Sequence, residues 1–398
     1  MCKIGILFEN RDFEHDVYEL IKAFYPEAEI HTLYENAEAE YDLRFSVERD
    51  NDSYIIKYER TENLSKQETE QKGVISADIL SKENAGCGIQ DAHALRKENK
   101  DNIKYALYQL LVKLTGRNLP WGNLTGIRPA KLAMGMIESG MKNTEAAREM
   151  RERYLVSPQK TALAITIANR EREILKDIDY ENGYSLYIGI PFCPSICLYC
   201  SFSSYPLKVW EKRTDEYVEA LCREVRETAL MMKGRKLDTI YIGGGTPTTL
   251  LPHQIRKLLD TVGEAFGYEG LAEFTVEAGR PDSITREKLM TIREYPVTRI
   301  SVNPQTMNQE TLDIIGRRHT VEQTKEAFRL ARELGYDNIN MDLIVGLPGE
   351  DIHMVERTLE QVRELAPDSI TVHSLAVKRA ARLNIFKDKY QEMTFENN

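Results

Sequence analysis

Residues 185–200 read Ser185-Leu186-Tyr187-Ile188-Gly189-Ile190-Pro191-Phe192-Cys193-Pro194-Ser195-Ile196-Cys197-Leu198-Tyr199-Cys200. The first six form a short apolar and aromatic run of the kind that makes a buried strand. Three cysteines follow in C-x3-C-x2-C spacing, which sets three thiolates around one point from a single loop. Tetrahedral zinc takes four protein ligands, or three with a water, and no histidine lies between His93 and His253 to serve as the fourth. A [4Fe–4S] cubane held by three thiolates keeps one iron open for an exogenous ligand. The spacing therefore points to a cluster ligated by Cys193, Cys197 and Cys200, with structural zinc as the lesser reading.

Downstream, short β-branched or apolar runs alternate with helical periodicity. Strands are expected at Ser185–Ile190, Thr239–Ile242, Glu273–Glu277, Thr298–Val302, Asn338–Leu343 and Ser369–Val372. Helices are expected near Asp215–Met232, His253–Phe266, Arg286–Arg293, Gln309–Ile315, Val321–Leu334 and Met354–Leu365. This is a βαβ repeat with a parallel sheet. Six units without a two-half fingerprint predict an α/β fold of the partial (β/α)6 barrel type over residues 184–376. Its polar and Gly-rich residues follow the strands, where barrel sites lie. The charged tail at 377–398 is expected to begin a further domain, since the sixth strand otherwise has an uncovered edge.

Upstream, residues 1–118 read as a smaller α/β domain. Strands are expected at Lys3–Glu9 and Glu29–Leu33, a helix at Phe13–Phe24, and a hairpin from Asp42–Val47 and Tyr54–Tyr58. From Glu62 to about Cys87 the sequence is polar with no strong period, and Asn102–Leu114 is an amphipathic helix. Residues 119–183 read as a helical connector, with helices at Lys131–Glu138, Asn143–Tyr154 and Ser157–Tyr180 after the element Trp121–Pro129. That element is expected to serve packing, with partner binding by Trp121 or Arg128 as the alternative.

With 398 residues, 42% of them hydrophobic, the chain is globular and too long for one core. A net charge of −10 gives no support to a nucleic-acid coat or a polybasic membrane anchor. No apolar run approaches the roughly 18 residues of a membrane span, and the amino end is not a signal peptide, so a cytoplasmic protein is expected. The six cysteines do not form a disulfide framework; Cys2, Cys87 and Cys222 are expected to be free thiols, Cys222 in helix packing.

The cysteine loop after strand one, with Tyr199 just before its last cysteine, resembles the radical S-adenosylmethionine (SAM) superfamily. The run Leu186–Cys193, the turn Tyr241-Ile242-Gly243-Gly244-Gly245-Thr246-Pro247-Thr248, Glu277, Arg299–Gln305, Ile315–Thr320 and Asn340–Pro348 together resemble the oxygen-independent coproporphyrinogen III oxidase family. The likeness runs from about Ser185 to Leu375. The amino-terminal extension with Trp121–Pro129 resembles the HemZ-like branch.

This resemblance implies roles at the barrel mouth. Gly243, Gly244 and Gly245, with Thr246, would meet the methionyl part of SAM; glycines allow close backbone approach. Glu277, a carboxylate at a strand end, would orient the methionyl amine. Arg317, rather than the adjacent Arg318, would pair with the methionyl carboxylate through its planar fork. Gln305 and Asp342 would bind the ribose hydroxyls, and Asp342 draws notice anyway as a carboxylate in an apolar strand, costly to bury unpaired. Tyr187 would contact the region between SAM and the cluster, with a packed barrel tyrosine as the alternative. Val345 and Gly346 would flank adenine through backbone contacts, and Phe202 would do likewise, with a dry shield beside the cluster as the alternative.

Two positions depart from the oxidases. Gly189 stands where they carry histidine, and Phe202 where they carry a fourth cysteine. The implied function is oxidative decarboxylation of coproporphyrinogen III to protoporphyrinogen IX in anaerobic haem synthesis. A 5'-deoxyadenosyl radical would take hydrogen from the β carbon of each of two propionates, and each substrate radical would lose carbon dioxide and an electron. The porphyrinogen substrate and a low-potential donor, ferredoxin or flavodoxin, are the expected partners. The alternatives are another radical SAM reaction on a tetrapyrrole and a haem-binding chaperone that retains the cluster.

Overall fold

The computed structural model describes residues 2–9, 11–34, 41–50, 53–64, 67–78, 89–378 and 380–385. The chain divides into two compact units, Met1–Lys176 and Asp177–Asn398. Among the described residues no helix is long and apolar enough to cross a membrane.

In the first unit β1 (Lys3–Phe8) lies between two parallel neighbours, β2 (Glu29–Leu33) and β3 (Leu43–Asp50). β4 (Ser53–Leu64) and β5 (Gln67–Asp78) extend the sheet antiparallel beyond β3. Ile4, Ile6 and Phe8 alternate inward against Val17, Leu20 and Phe24 of α1 (Glu14–Phe24) and Ile103, Leu107 and Leu111 of α2 (Ile89–Thr115). The expected antiparallel pairing forms, from Leu43 opposite Arg60 to Asp50 opposite Ser53. The stretch after Glu62 is a correction, because β4 runs on to Leu64 and β5 occupies Gln67–Asp78. These strands pair continuously from Ser53↔Asp78 to Leu64↔Gln67. Antiparallel backbone bonding is indifferent to side-chain polarity, so a strand forms where no apolar pattern announces one. Cys87 lies outside the described residues.

α3 (Pro129–Glu138), α4 (Asn143–Glu152) and α5 (Pro158–Ile174) pack through small and apolar residues, among them Ala133, Met136, Ala146, Met150, Ala164 and Ala168. α5 stops short of the expected Tyr180. Past its end the Asp179 carboxylate accepts the N–H groups of Glu181 and Asn182, a local turn that competes with helix. In the Trp121–Pro129 element Gly122 has φ +58°, and a Cβ there would sit 2.0 Å from the Tyr154 carbonyl oxygen. Only glycine fits.

The second unit is a six-stranded parallel sheet in the order β13-β12-β11-β10-β9-β6. Its strands are β6 (Gly183–Ile190), β9 (Lys236–Gly244), β10 (Glu273–Gly279), β11 (Arg299–Val302), β12 (Ile339–Val345) and β13 (Ser369–Ser374). The short pair β7 (Phe192–Cys193) and β8 (Tyr205–Pro206) brackets the cysteine loop. α6 (Leu207–Trp210) and α7 (Thr214–Met231) lead to β9, and α8 (Pro252–Phe266) to β10. α9 (Arg286–Arg293), the pair α10 (Gln309–Ile314) and α11 (Val321–Glu333), and α12 (Ile352–Leu365) make the remaining crossovers. α13 (Arg382–Ile385) follows β13. This is the expected partial (β/α)6 barrel, with its strands in sequence order.

Strand periodicity divides the sheet into two faces. Ile188, Ile190, Ile240, Ile242, Phe274, Val276, Ile300, Val302, Ile339 and Met341 join a core with the helices, where Cys222 is also buried as expected. Tyr187, Tyr241, Glu277, Ser301 and Asp342 occupy the alternate positions and take the opposite face. The division makes a stability prediction. Phe274 is fully buried and stacks on Tyr268 with ring centroids 5.4 Å apart. Phe274→Ala should cost about 3–5 kcal/mol, seen as a lower urea midpoint at unchanged slope.

Candidate active site

The cysteine loop is closed at its base. Phe192 and Cys193 pair with Tyr205 and Pro206, and the Tyr205 N–H donates to the Pro191 carbonyl at 2.8 Å. The glycine turn after β9 holds the near side, with the N–H groups of Gly245 and Thr246 on the carbonyls of Ile190 and Phe192 at 2.6 and 2.8 Å. On the far side the Leu198 N–H donates to the Ile315 carbonyl, the Leu383 N–H to the Leu198 carbonyl, and the Ser195 hydroxyl to the Gly316 carbonyl, each at 2.8 Å. Leu198 is buried with Leu312, Ile315, Leu347 and Leu383.

All three thiols are partly buried. Burial pushes the Cys193 and Cys200 thiols up from their ordinary range; a bond from the Thr246 hydroxyl opposes this at Cys193, and the Phe202 main-chain N–H opposes it at Cys200. Cys193 feels both other cysteines, and Cys200 feels Cys197. The three sulfurs therefore share one electrostatic neighbourhood, with a donor on each: Thr246 Oγ1 is 3.6 Å from Cys193 Sγ, Arg280 Nη1 is 3.7 Å from Cys197 Sγ, and the Phe202 N–H serves Cys200. Among the described residues no three His, Cys, Asp or Glu side chains gather tightly enough for a single metal ion. In a cubane each thiolate binds its own iron, so the sulfurs need to share a loop rather than a point. A proton-losing thiol set with hydrogen-bond donors already on the sulfurs fits such a cluster.

Across the mouth, Tyr187 is 61% exposed and stacks on Tyr241, its partner on the next strand, at 5.5 Å and 11°. The Tyr241 hydroxyl donates to Glu277. Burial raises the Glu277 carboxyl above the usual range, the Tyr241 bond lowers it, and nearby Asp342 raises it again. Asp342 is not unpaired, since Asn340 Nδ2 donates to its Oδ1 at 2.7 Å, while Asn340 Oδ1 accepts the hydroxyls of Ser369 and Thr371. Gln305 sits at φ +70°; its N–H donates to the Asp342 carbonyl and its carbonyl accepts the Ile344 N–H, so Gln305 and Asp342 lie side by side. A Cβ on Gly243 would approach Tyr241 to 2.6 Å and Glu277 to 3.1 Å, and one on Gly245 would meet the Phe192 carbonyl oxygen at 2.7 Å. The glycines are therefore required for this cradle.

Arg317 is buried beneath the loop, whereas Arg318 is exposed. Its Nη1 donates to the Tyr199 hydroxyl at 3.1 Å and its Nη2 to the carbonyls of Asn303 and Gly279 at 2.6 and 3.3 Å. Its Nε has no partner among the described residues. Val345 and Gly346 lie at the end of β12, Gly346 at φ +83°. Phe202 is 73% exposed, and its main-chain N–H serves Cys200.

Sequence reasoning missed Tyr241 and Arg280. Tyr241 could have been found, since it is two positions before Gly243 on a period-2 strand and shares that face. Arg280 gave only a weak signal, as an arginine just beyond a strand end, and its approach to Cys197 is a tertiary fact.

The family model described as Radical SAM superfamily matches residues 187–362. A Bacillus subtilis (strain 168) protein named oxygen-independent coproporphyrinogen-III oxidase-like protein HemZ is 38% identical over 344 residues, which is 83% of this chain and 68% of that protein. The chain belongs to the HemZ-like family of the radical SAM superfamily. Heme chaperone HemW of the same organism is 39% identical over 195 residues, 49% of this chain and 51% of the chaperone. The oxygen-independent coproporphyrinogen III oxidase of Escherichia coli (strain K12) is 33% identical over 196 residues, 49% of this chain and 42% of the oxidase. The chain thus spans about half the length of these last two relatives. The solved structure of the Escherichia coli coproporphyrinogen III oxidase HemN matches at a TM-score of 0.47 and 29% identity, covering 56% of this chain and 55% of that one. Radical SAM proteins use a [4Fe–4S] cluster and SAM, and both are cofactors of this family.

Two predictions follow the geometry. Cys193→Ala, Cys197→Ala and Cys200→Ala should each abolish cluster uptake, measured as iron and acid-labile sulfide per chain, while Cys222→Ala keeps it. If the ionised Glu277 holds the SAM ammonium, affinity is full above the raised carboxyl pKa and falls as pH drops through it. Tyr241→Phe removes a bond that favours the ionised form, so the acid limb of SAM affinity against pH should move upward. An unmoved limb would remove Glu277 from that role.

Proposed function

We propose that this chain catalyses the SAM-dependent oxidative decarboxylation of coproporphyrinogen III to protoporphyrinogen IX in anaerobic haem synthesis. The observation that supports this reading best is the mouth itself. A three-thiol loop faces a glycine cradle beside two carboxylates, Glu277 and Asp342, and the buried Gln305. A protein that only stores a cluster has no use for those groups.

The cluster with SAM bound supplies a 5'-deoxyadenosyl radical. In this reading Cys193, Cys197 and Cys200 hold the cluster, Glu277 takes the methionyl ammonium, and Arg317 offers its charge to the methionyl carboxylate. Gln305 and Asp342 take the ribose hydroxyls. The cradle Gly243–Gly245 with Thr246 lies along the methionyl chain, Tyr187 contacts the region between SAM and the cluster, and Val345, Gly346 and Phe202 flank adenine. Each of two propionates gives up a β hydrogen atom, carbon dioxide and one electron, the last to an external acceptor. A cytoplasmic ferredoxin or flavodoxin resupplies the electron that each SAM cleavage consumes.

A second reading, haem carriage, is favoured by one observation: the chaperone HemW matches 49% of the chain at 39% identity, against 33% over an equal share for the Escherichia coli oxidase. An anaerobic product assay separates the two. Chain reconstituted with iron and sulfide, then given SAM, a low-potential reductant and coproporphyrinogen III, should yield protoporphyrinogen IX with about two equivalents of 5'-deoxyadenosine, one per propionate. 5'-Deoxyadenosine with unchanged porphyrinogen would sink the substrate assignment. Haem binding without SAM cleavage would establish the carrier.

A further inference from the structure

Beneath the cysteine loop the structure buries a charged group that none of the roles above uses. β10 changes register between Glu277 and Gly279, and Gly279 has φ +34°, which turns the following residue under the loop. That residue is Arg280, 4% exposed. Its Nε and Nη2 grip the two oxygens of Asp282 at 2.9 and 2.7 Å. Its Nη1 donates to the Ser195 carbonyl at 3.3 Å, to Ser195 Oγ at 3.1 Å and to Cys197 Sγ at 3.7 Å.

The charges around it do not cancel. Arg317, also 4% exposed, lies near the same residues. The Arg280 bond and both guanidiniums hold Asp282 ionised against the effect of its burial. His319 is fully buried among these three, and neither ring nitrogen has a partner among the described residues. Burial and the two guanidiniums push its pKa down to about 3, so it stays neutral. Two guanidiniums against one carboxylate leave a net positive charge in a region of low dielectric, facing thiolates.

We infer that Arg280 raises the reduction potential of the cluster, by donating to the Cys197 sulfur and by holding a buried positive charge against it. Reduction adds one negative charge to the core, and a fixed cation within hydrogen-bond reach of a ligand sulfur stabilises the reduced state more than the oxidised one. A donor on the sulfur also draws charge from the thiolate. Arg280 is thus a tuning residue that acts through Cys197. The inference rests on the assignment of the three cysteines as ligands, and is independent of the porphyrinogen reading.

The alternative is that Arg280 only staples the loop through Ser195. A staple governs how much cluster the loop retains and leaves the potential alone. The test is anaerobic redox titration of the reconstituted full chain, followed by electron paramagnetic resonance of the reduced cluster, with iron and sulfide counted in each variant. Arg280→Met should lower the midpoint. A tenfold smaller ratio of reduced to oxidised cluster at fixed potential corresponds to 59 mV. Asp282→Asn removes the opposing charge and should raise the midpoint, while Arg280→Lys should fall between wild type and Arg280→Met. If Arg280→Met retains no cluster, Asp282→Asn decides alone. Wild-type midpoints in the cluster-loaded variants, or shifts of one sign in Arg280→Met and Asp282→Asn, would overturn the inference. A wild-type chain that takes up no cluster would overturn the ligand assignment and this inference together. No porphyrinogen enters the experiment, so its failure is distinct from failure of the oxidase reading.

Discussion

Three thiolates repel one another, and a loop that gathers them has little regular structure of its own to resist that repulsion. The anchors must come from outside it. Here they come from both sides of the barrel mouth: the turn after β9 bonds to Ile190 and Phe192, and the turn after α10 bonds to Leu198 and Ser195. The first anchor explains the glycines. Gly245 approaches the Ile190 carbonyl to 2.6 Å, and at that distance a side chain would collide with the loop's own backbone. The cradle across from the cysteines is thus a consequence of holding the loop, and the space it leaves is open to a ligand.

The same anchoring polarises the mouth. Glu277 and Asp342 stand on the sheet face, close enough for one to raise the carboxyl pKa of the other. Arg280 and Arg317 lie buried beneath the loop. Like-charged carboxylates in partial burial destabilise each other unless a cation joins them, and Tyr241 offers Glu277 only a neutral donor. An arrangement with carboxylates on one side and guanidiniums on the other suits a zwitterion laid across it, with its ammonium toward the sheet.

Much of this was legible in the sequence because parallel strands flanked by helices repeat one simple pattern. Ile240 and Ile242 face the helices, and the residues between and beyond them, Tyr241 and Gly243, face the mouth; the same alternation places Glu277 and Asp342. β5 was not legible. Gln67-Glu68-Thr69-Glu70-Gln71-Lys72 carries no apolar face, and the strand is defined by its ladder with β4. Nor was Arg280, whose position depends on a register shift at Gly279 that no local pattern encodes. The end of α5 fell between these cases, since Asp179 and the residues after it carry the turn chemistry but helical periodicity runs past Ile174.

The features that point to bound SAM are those that cost free energy without helping the loop hold a cluster. Gln305 occupies the left-handed region, where a non-glycine residue sits at a penalty of about 1–3 kcal/mol, and backbone bonds to Asp342 and Ile344 hold it there. Glu277 is a partly buried carboxyl with a raised pKa, next to a second carboxylate. None of these groups touches a cysteine. Strain and unfavourable charge of this kind persist where binding a ligand offsets them, and they stand on the sheet face opposite the thiols, where a small zwitterionic nucleoside would meet both. A protein that only stores a cluster would gain nothing from that expense at this place, whereas a protein that must orient SAM against its cluster would.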